Sequence, residues 1–388
     1  MRHNEGVKPL IANRALIGQA PRLVIKIGSS SLTAKDGSLN VEQLGAIVDV
    51  VAAARKRGQT VVLVSSGAVA AGIAPLGFTS RPKDVKDQQA AAMVGQQRLM
   101  AAYSEAFDRH GITIGQTLLT VEDLVDRKHY ANAQGALKRL LHLGVVPIVN
   151  ENDAVVTDEL RFGDNDRVAA LVAHLVDASV LILCTDVDGL YTGPPGRGDA
   201  VLIPEISSPA QLKGLLITGK GSDVGTGGMR TKVDAADIAT SGGVGVLLTS
   251  TENLGAALEG EDVGTWFVPR GRRVSARTMW LRYAAMVRGK ITVDDGAAHA
   301  LRSGGASLLA VGVTAVEGSF AAGDLVEIVD LSGALIGRGL SAFSDAEIVE
   351  FIPSPAPDGG AKAKLRRRAP RPIVHADDLV QTTGPAVS

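Results

Sequence analysis

The sequence predicts an α/β protein: a three-layer α/β/α sandwich around a mostly parallel sheet, followed by a small β-barrel domain. Three observations predict it. From Arg22 to about Thr249, short β-branched runs alternate with stretches of helical periodicity, the pattern of parallel strands joined by crossover helices. The strand runs are continuously apolar, as strands covered on both faces are. After Trp266 the helical texture gives way to short strand-like runs separated by turn residues. At 388 residues the chain exceeds one ordinary core, so two domains suit its length.

The elements follow in order. Residues 1–20 read as an N-terminal extension and residues 21–265 as the α/β domain. Arg22–Ile27 is the first strand. Asn40 offers an N-cap before the stripe Val41, Leu44, Ile47, Val48 and Val51, which Gly58 ends. Val61–Val64 is the second strand, and a long helix runs from about Asp84 to His110. Further strands are Ile112–Leu119, Val145–Val149, Ser179–Cys184 and Val244–Thr249, separated by helices near Tyr130–His142, Arg167–Asp177 and Met229–Thr240. Residues 266–285, with Arg270, Arg272, Arg273 and Arg277, read as a polar linker. The second domain spans 286–380, with strands at Ser307–Val311, Leu325–Val329, Ala334–Ile336 and Pro372–Val374, short helices at Gly296–Arg302 and Asp345–Phe351, and a tail at 381–388.

Composition excludes several classes of function. Lys plus Arg (40) against Asp plus Glu (41) leaves no global field to attract an anionic polymer, and 3% aromatic residues leave few rings for base stacking. One cysteine, Cys184, permits neither a disulfide framework nor a Cys-based metal site, and its apolar run marks it as a buried small hydrophobe. The first twenty residues lack the apolar core of a secretory signal. The most apolar long window, 168–184, is interrupted by His174 and Asp177, so the expectation is a cytoplasmic protein with no membrane span.

Several loops carry the residues for chemistry. Lys26-Ile-Gly28-Ser29-Ser30-Ser31 ends the first strand, placing an ammonium beside a glycine and hydroxyls. A phosphate-touching loop needs that combination, although a lysine at a strand end also occurs as a snorkelling surface residue. Ser65-Ser66-Gly67-Ala68 leaves the second strand and is either a partner in that crevice or a plain strand-to-helix turn. Asn150-Glu151-Asn152-Asp153 ends another strand, and Gly163-Asp164-Asn165-Asp166 precedes a helix. A hairpin over Val155–Phe162 would bring the two clusters together. Carboxylates and amide oxygens suit an ammonium, and amide N–H groups suit a carboxylate, so the cluster fits a zwitterionic amino acid. A hydrolytic metal site is the rival, but no histidine lies nearby. Gly225-Thr226-Gly227-Gly228-Met229-Arg230-Thr231-Lys232 opens a helix as an anion site would. Gly214–Lys220 mimics a P-loop, but Gly221 replaces the magnesium-binding hydroxyl, so that reading fails. Thr185-Asp186-Val187-Asp188 binds a ribose or caps its own turn.

In this order and spacing the motifs resemble the amino acid kinase family, over about Leu23 to Val380. The run Asn150-Glu-Asn-Asp-Ala-Val155 is similar to that of the members that phosphorylate glutamate. The tail, through Ile291-Thr-Val-Asp-Asp-Gly-Ala297, resembles a PUA domain. The resemblance implies ATP and Mg2+ as cofactors, L-glutamate as substrate, proline as feedback inhibitor and a homo-oligomer. It implies that Ser66, Asp153 and Asn165 contact glutamate, and that Thr185, Asp186 and Thr226, Gly227, Gly228, Met229, Arg230, Thr231 and Lys232 contact ATP. Lys26 would reach the phosphates, with Asp166 holding the two lysines. Another member of the same family, with a different substrate, is one alternative; because PUA domains elsewhere bind RNA, an RNA-binding regulator is the other, with Lys362, Lys364, Arg366, Arg367, Arg368 and Arg371 as its basic stretch.

Overall fold

The computed structural model describes residues 11–34, 37–120, 123–124, 127–155, 165–194, 200–212, 228–270, 281, 287–352 and 369–381. The chain divides into two compact units, 1–276 and 277–388.

The first unit opens with β1 (Arg22–Ile27), α1 (Ser29–Leu32), α2 (Val41–Lys56), β2 (Thr60–Ser65) and α3 (Ala68–Ile73). Then come α4 (Val85–Asp108), β3 (Ile114–Leu119), α5 (Arg127–His142), β4 (Val146–Glu151), α6 (Asn165–Leu175) and β5 (Val180–Thr185). It closes with β6 (Glu205–Ile206), α7 (Met229–Ser241), β7 (Gly245–Ser250), α8 (Leu254–Glu259) and β8 (Thr265–Phe267). The strand order is β3-β4-β2-β1-β5-β7-β8-β6. The six strands from β3 to β7 are parallel; β8 pairs antiparallel with β7 and parallel with β6, so those last two strands run opposite to the rest. The order reverses at β1, which sits between β2 and β5. The crevice beyond the carboxyl ends of these strands is where an open α/β sheet receives a ligand.

Caps fix the helices that flank this crevice. Asn40 accepts the Gln43 N–H at the start of α2, and Asp84 accepts the N–H groups of Lys86 and Asp87 at the start of α4. α3 and α4 approach until their backbones nearly touch. A Cβ on Gly72 would lie 1.9 Å from the Ala91 carbonyl oxygen, and one on Gly95 would lie 1.8 Å from that of Ala68. Only glycine permits that approach.

Two expected boundaries are corrected. Residues 11–20 are not an extension, because Ile11, Ile17 and Ala20 are buried in the same core as Leu23, Ile25 and Leu63. Gln59 Nε2 donates to the carbonyls of Ile17 and Ala20, each at 3.1 Å, and Arg14 donates to those of Val263 and Gly264. Nor does a linker begin at 266. Trp266 is fully buried in β8, and Arg270 pairs with Asp237 and donates to Thr240 Oγ1. Arginine count gave no hint that Arg270 caps the end of α7 rather than facing solvent.

The second unit contains β9 (Val287–Val293), α9 (Asp295–Ser303), β10 (Val313–Gly318), β11 (Leu325–Val329), β12 (Leu335–Leu340), α10 (Asp345–Phe351) and β13 (Leu379–Gln381). Its sheet order is β10-β9-β11-β12-β13, with only β9 and β11 parallel. Ile291, Val293, Leu301, Ile328, Phe343 and Ile348 form its core. The runs expected as strands at Ser307–Val311 and Pro372–Val374 reduce to one bridge between Leu308 and Val374. A 3₁₀ turn at Ala310–Gly312 diverts the chain. Gly312 sits so close to α9 that a Cβ there would lie 2.5 Å from that of Ala297, and the strand starts one residue later. No helix among the described residues is long and apolar enough to cross a membrane.

Candidate active site

Two consecutive residues at the start of α6 organise the crevice. Asp166 is fully buried, and its carboxylate is shared by two lysines from different elements. Lys26 Nζ, from the end of β1, lies 2.7 Å from Oδ1. Lys232 Nζ, from the second turn of α7, lies 3.1 Å from Oδ2. Both lysines are themselves buried. Asp166 belongs to the first turn of its helix, where the backbone dipole favours an anion. Two ammonium groups against one carboxylate leave these three side chains with an excess of positive charge among themselves. Thr231 Oγ1 donates to the Gly228 carbonyl at 2.8 Å and lies 3.4 Å from Asp166 Oδ2, so α7 presents its first turn to the same carboxylate.

Asn165 faces the other way. Its Nδ2 donates to Ser66 Oγ and to Asn150 Oδ1, each at 2.9 Å. Ser66 is set by the turn out of β2, where Gly67 takes φ +102°, a left-handed conformation that side chains resist. The preceding Ser65 hydroxyl meets the Tyr103 hydroxyl of α4 at 3.0 Å. Burial pushes the Tyr103 phenol up to about 12, only partly opposed by that hydrogen bond. Asn150 Nδ2 in turn donates to Gln96 Oε1 at 2.9 Å, linking β4 to α4. Glu151, Asn152, Asp153, Ala68 and Gln96 line an open groove of about 400 Å³.

At the end of β5, Thr185 is buried and its hydroxyl donates to Asp186 Oδ1 at 2.9 Å, while Asp186 itself is exposed. Arg230 is exposed and lies 3.5 Å from Asp234, one turn on. Met229 opens α7 behind the N-cap Gly228. Thr226, Gly227 and the hairpin expected over Val155–Phe162 (apart from Val155 itself) lie outside the described residues. Burial raises the Cys184 thiol to about 12, and the nearby Lys26 ammonium only partly offsets that. The thiol is an inert part of β5.

The structure thus joins Lys26, Asp166 and Lys232 in one cluster, and Ser66 and Asn165 in a second that shares a helix start with the first. Sequence reasoning missed Gln96 and Tyr103, and gave Asn150 no role of its own. One signal was available for Gln96. It is the polar member of an otherwise small or apolar buried face of α4, among Ala92, Gly95, Leu99, Tyr103 and Ala106.

Similarity to known proteins runs through this site. Residues 21–250 match the amino acid kinase family, and residues 289–354 match the PUA domain. The chain is 52% identical over 373 residues to a glutamate 5-kinase of Thermobifida fusca, covering 95% of each protein. It is 50% identical to one of Frankia casuarinae, covering 95% of this chain and 98% of that protein. It is 48% identical to one of Rhodococcus opacus, covering 95% and 99%. A family match that spans all six parallel strands, with relatives aligned nearly end to end, admits one conclusion: the chain belongs to the amino acid kinase family and carries a PUA domain behind its kinase domain.

Proposed function

We propose that the chain phosphorylates the γ-carboxylate of L-glutamate with ATP, giving L-glutamyl 5-phosphate and ADP, the first step of proline biosynthesis. The observation that carries this reading is the buried pair of lysines, Lys26 and Lys232, locked on Asp166 at the carboxyl end of β1. A side-chain carboxylate with a reference pKa of about 4.3 is already ionised at neutral pH and needs no general base. The remaining task is to align two anions and neutralise the charge that spreads over the transferring phosphoryl group. Lys26 and Lys232 do so from fixed positions, and Asp166 keeps them there without cancelling both charges. Ser66, Asn165 and Asp153 hold the amino acid, while Thr185, Asp186 and the start of α7 hold the nucleotide.

The described residues contain no cluster of three or more His, Cys, Asp or Glu suited to a metal ion, and both Asp166 oxygens are engaged by lysine. In this reading magnesium arrives on the ATP phosphates with most of its water. When bound it supplies further charge neutralisation between the phosphates. The proposal includes proline as feedback inhibitor, a homo-oligomeric assembly and a cytoplasmic location, as the glutamate 5-kinase reading implies. The rival RNA-binding role gains little from Arg371, whose guanidinium lies 5.2 Å from the Phe343 ring centroid and donates to the Ala342 carbonyl. The rest of that basic stretch lies outside the described residues.

The test is ADP release by the purified chain with MgATP, across glutamate, aspartate, acetylglutamate, carbamate and UMP, with hydroxylamine trapping any acyl phosphate. ADP and hydroxamate with glutamate alone are expected. Turnover of another acceptor would overturn the specificity, and none at all would overturn the kinase reading.

A further inference from the structure

Three carboxamides run from the Ser66 loop to α4, and their polarity is fixed by the backbone. The Glu151 N–H donates to Asn150 Oδ1 at 2.9 Å, and a backbone N–H can only donate. That contact identifies the Asn150 oxygen, so the atom facing Gln96 Oε1 at 2.9 Å is the Asn150 nitrogen. Asn165 Nδ2 donates to the same Asn150 oxygen. Every amide in the row is therefore oriented, and each end keeps one group of defined sign. Among the described residues, Gln96 Nε2 is a donor with no acceptor and Asn165 Oδ1 is an acceptor with no donor, both shielded from water. Only 9% of the Gln96 surface is exposed, and its side chain lines the groove with Asp153, Asn152 and Ala68. Leaving a buried donor unmet is destabilising, so a folded protein keeps one where a ligand meets it.

We propose that Gln96 is a substrate-binding, specificity-determining residue whose Nε2 donates to the α-carboxylate of the phosphorylated amino acid. The inference rests on the glutamate reading above and deepens it. The Asn165 oxygen and the Asp153 carboxylate then receive the α-ammonium, so the signs of the two row ends set which way round the substrate lies. A neutral donor suits this position. A cation there would offer the γ-carboxylate a second place to bind, away from Lys26 and Lys232, whereas a carboxamide holds the α-carboxylate by geometry.

The decisive variant is Gln96→Glu, which keeps an oxygen for Asn150 Nδ2 and nearly the same volume but replaces the donor with an anionic oxygen. Steady-state kinetics would compare glutamate with 4-aminobutyrate, which has the amine and the reacting carboxylate but no α-carboxylate. The KM for glutamate is expected to rise roughly 10²-fold with the KM for ATP unchanged. The kcat/KM for 4-aminobutyrate should move less than about threefold, so the preference for glutamate collapses by a similar roughly 10²-fold. Gln96→Met, uncharged and of similar size, should show the same selective loss at about tenfold, and it serves if the Glu variant does not fold. Parallel losses on both substrates, or a glutamate KM within about threefold of wild type, would overturn the assignment and leave the kinase reading standing. No glutamate turnover by the wild-type chain would overturn the kinase reading itself, before any variant is made.

Discussion

Asp166 and Asn165 are neighbours on one helix turn, yet they face opposite kinds of chemistry. On the Asp166 side, two ammonium groups converge on one carboxylate, buried from solvent and carrying net charge. On the Asn165 side, a serine and three carboxamides hold one another with no formal charge at all. Under the proposed function, the difference follows from what each side handles. Phosphoryl transfer redistributes charge, and fixed ions in a low-dielectric site act strongly on that redistribution. Recognition of an unchanging amino acid head needs direction more than field strength, and oriented amides supply it. One backbone turn joins the two, so the reacting group and the recognised group hold a fixed spacing.

The comparison breaks most severely at Asp166. Replacing it with alanine strands two buried ammonium groups, and the expected loss is about 3–5 kcal/mol of stability with turnover abolished; urea melts and ADP release would check both. Lys26→Ala or Lys232→Ala should lower kcat by roughly 10²–10³, equivalent to about 3–4 kcal/mol. A purified variant with near-wild-type kcat would remove that lysine from the charged side. Gly95→Ala tests the support of the neutral side, because its new Cβ would meet the Ala68 carbonyl oxygen at 1.8 Å. Forcing α3 and α4 apart should cost about 1–3 kcal/mol in thermal melts and weaken glutamate binding more than ATP binding, since Gln96 moves with α4.

Asn150→Ala probes the neutral side by itself. Removing the middle amide leaves Asn165 and Gln96 each short of a partner, and the glutamate KM should rise roughly tenfold with kcat changed far less. An equal fall in kcat would show that the amide row serves the chemistry and not only recognition. The smallest effect belongs to Cys184. Its folded thiol titrates near 12 because of burial, above the value of about 8.5 for a free cysteine. The contribution to stability is complete below the unfolded value and is lost as pH rises towards the folded one. A thiol reagent at pH 8 should therefore react only after denaturant is added, with activity unchanged beforehand.

The charged side was legible in the sequence because its parts sit at places that local rules recognise. Lys26 ends a β-branched run, Asp166 opens a helical stretch, and Lys232 follows a glycine-rich turn into a helix. The neutral side was half legible. Ser66 and Asn165 stood in conspicuous loops, whereas Gln96 lies in the middle of a helix and carries no local mark beyond its place among apolar neighbours. The domain limits failed for a related reason. Ile17 and Trp266 are separated by most of the kinase domain along the chain yet share one core, and composition on either side of a boundary does not record such a partnership.

By itself the sequence determined the parallel sheet and its crossover helices, because strand and helix periodicities are local and every central strand is apolar on both faces. It also determined which loops leave the carboxyl ends of the strands. Only the tertiary structure decided that β1 lies between β2 and β5, that Gly72 and Gly95 let two helices touch, and that Gln96 thereby reaches Asn150. Those facts depend on contacts between residues from 19 positions apart in sequence (Gly72 and Ala91) to 157 (Leu23 and Val180), and on a fit measured in tenths of an ångström, which no local pattern of residues encodes.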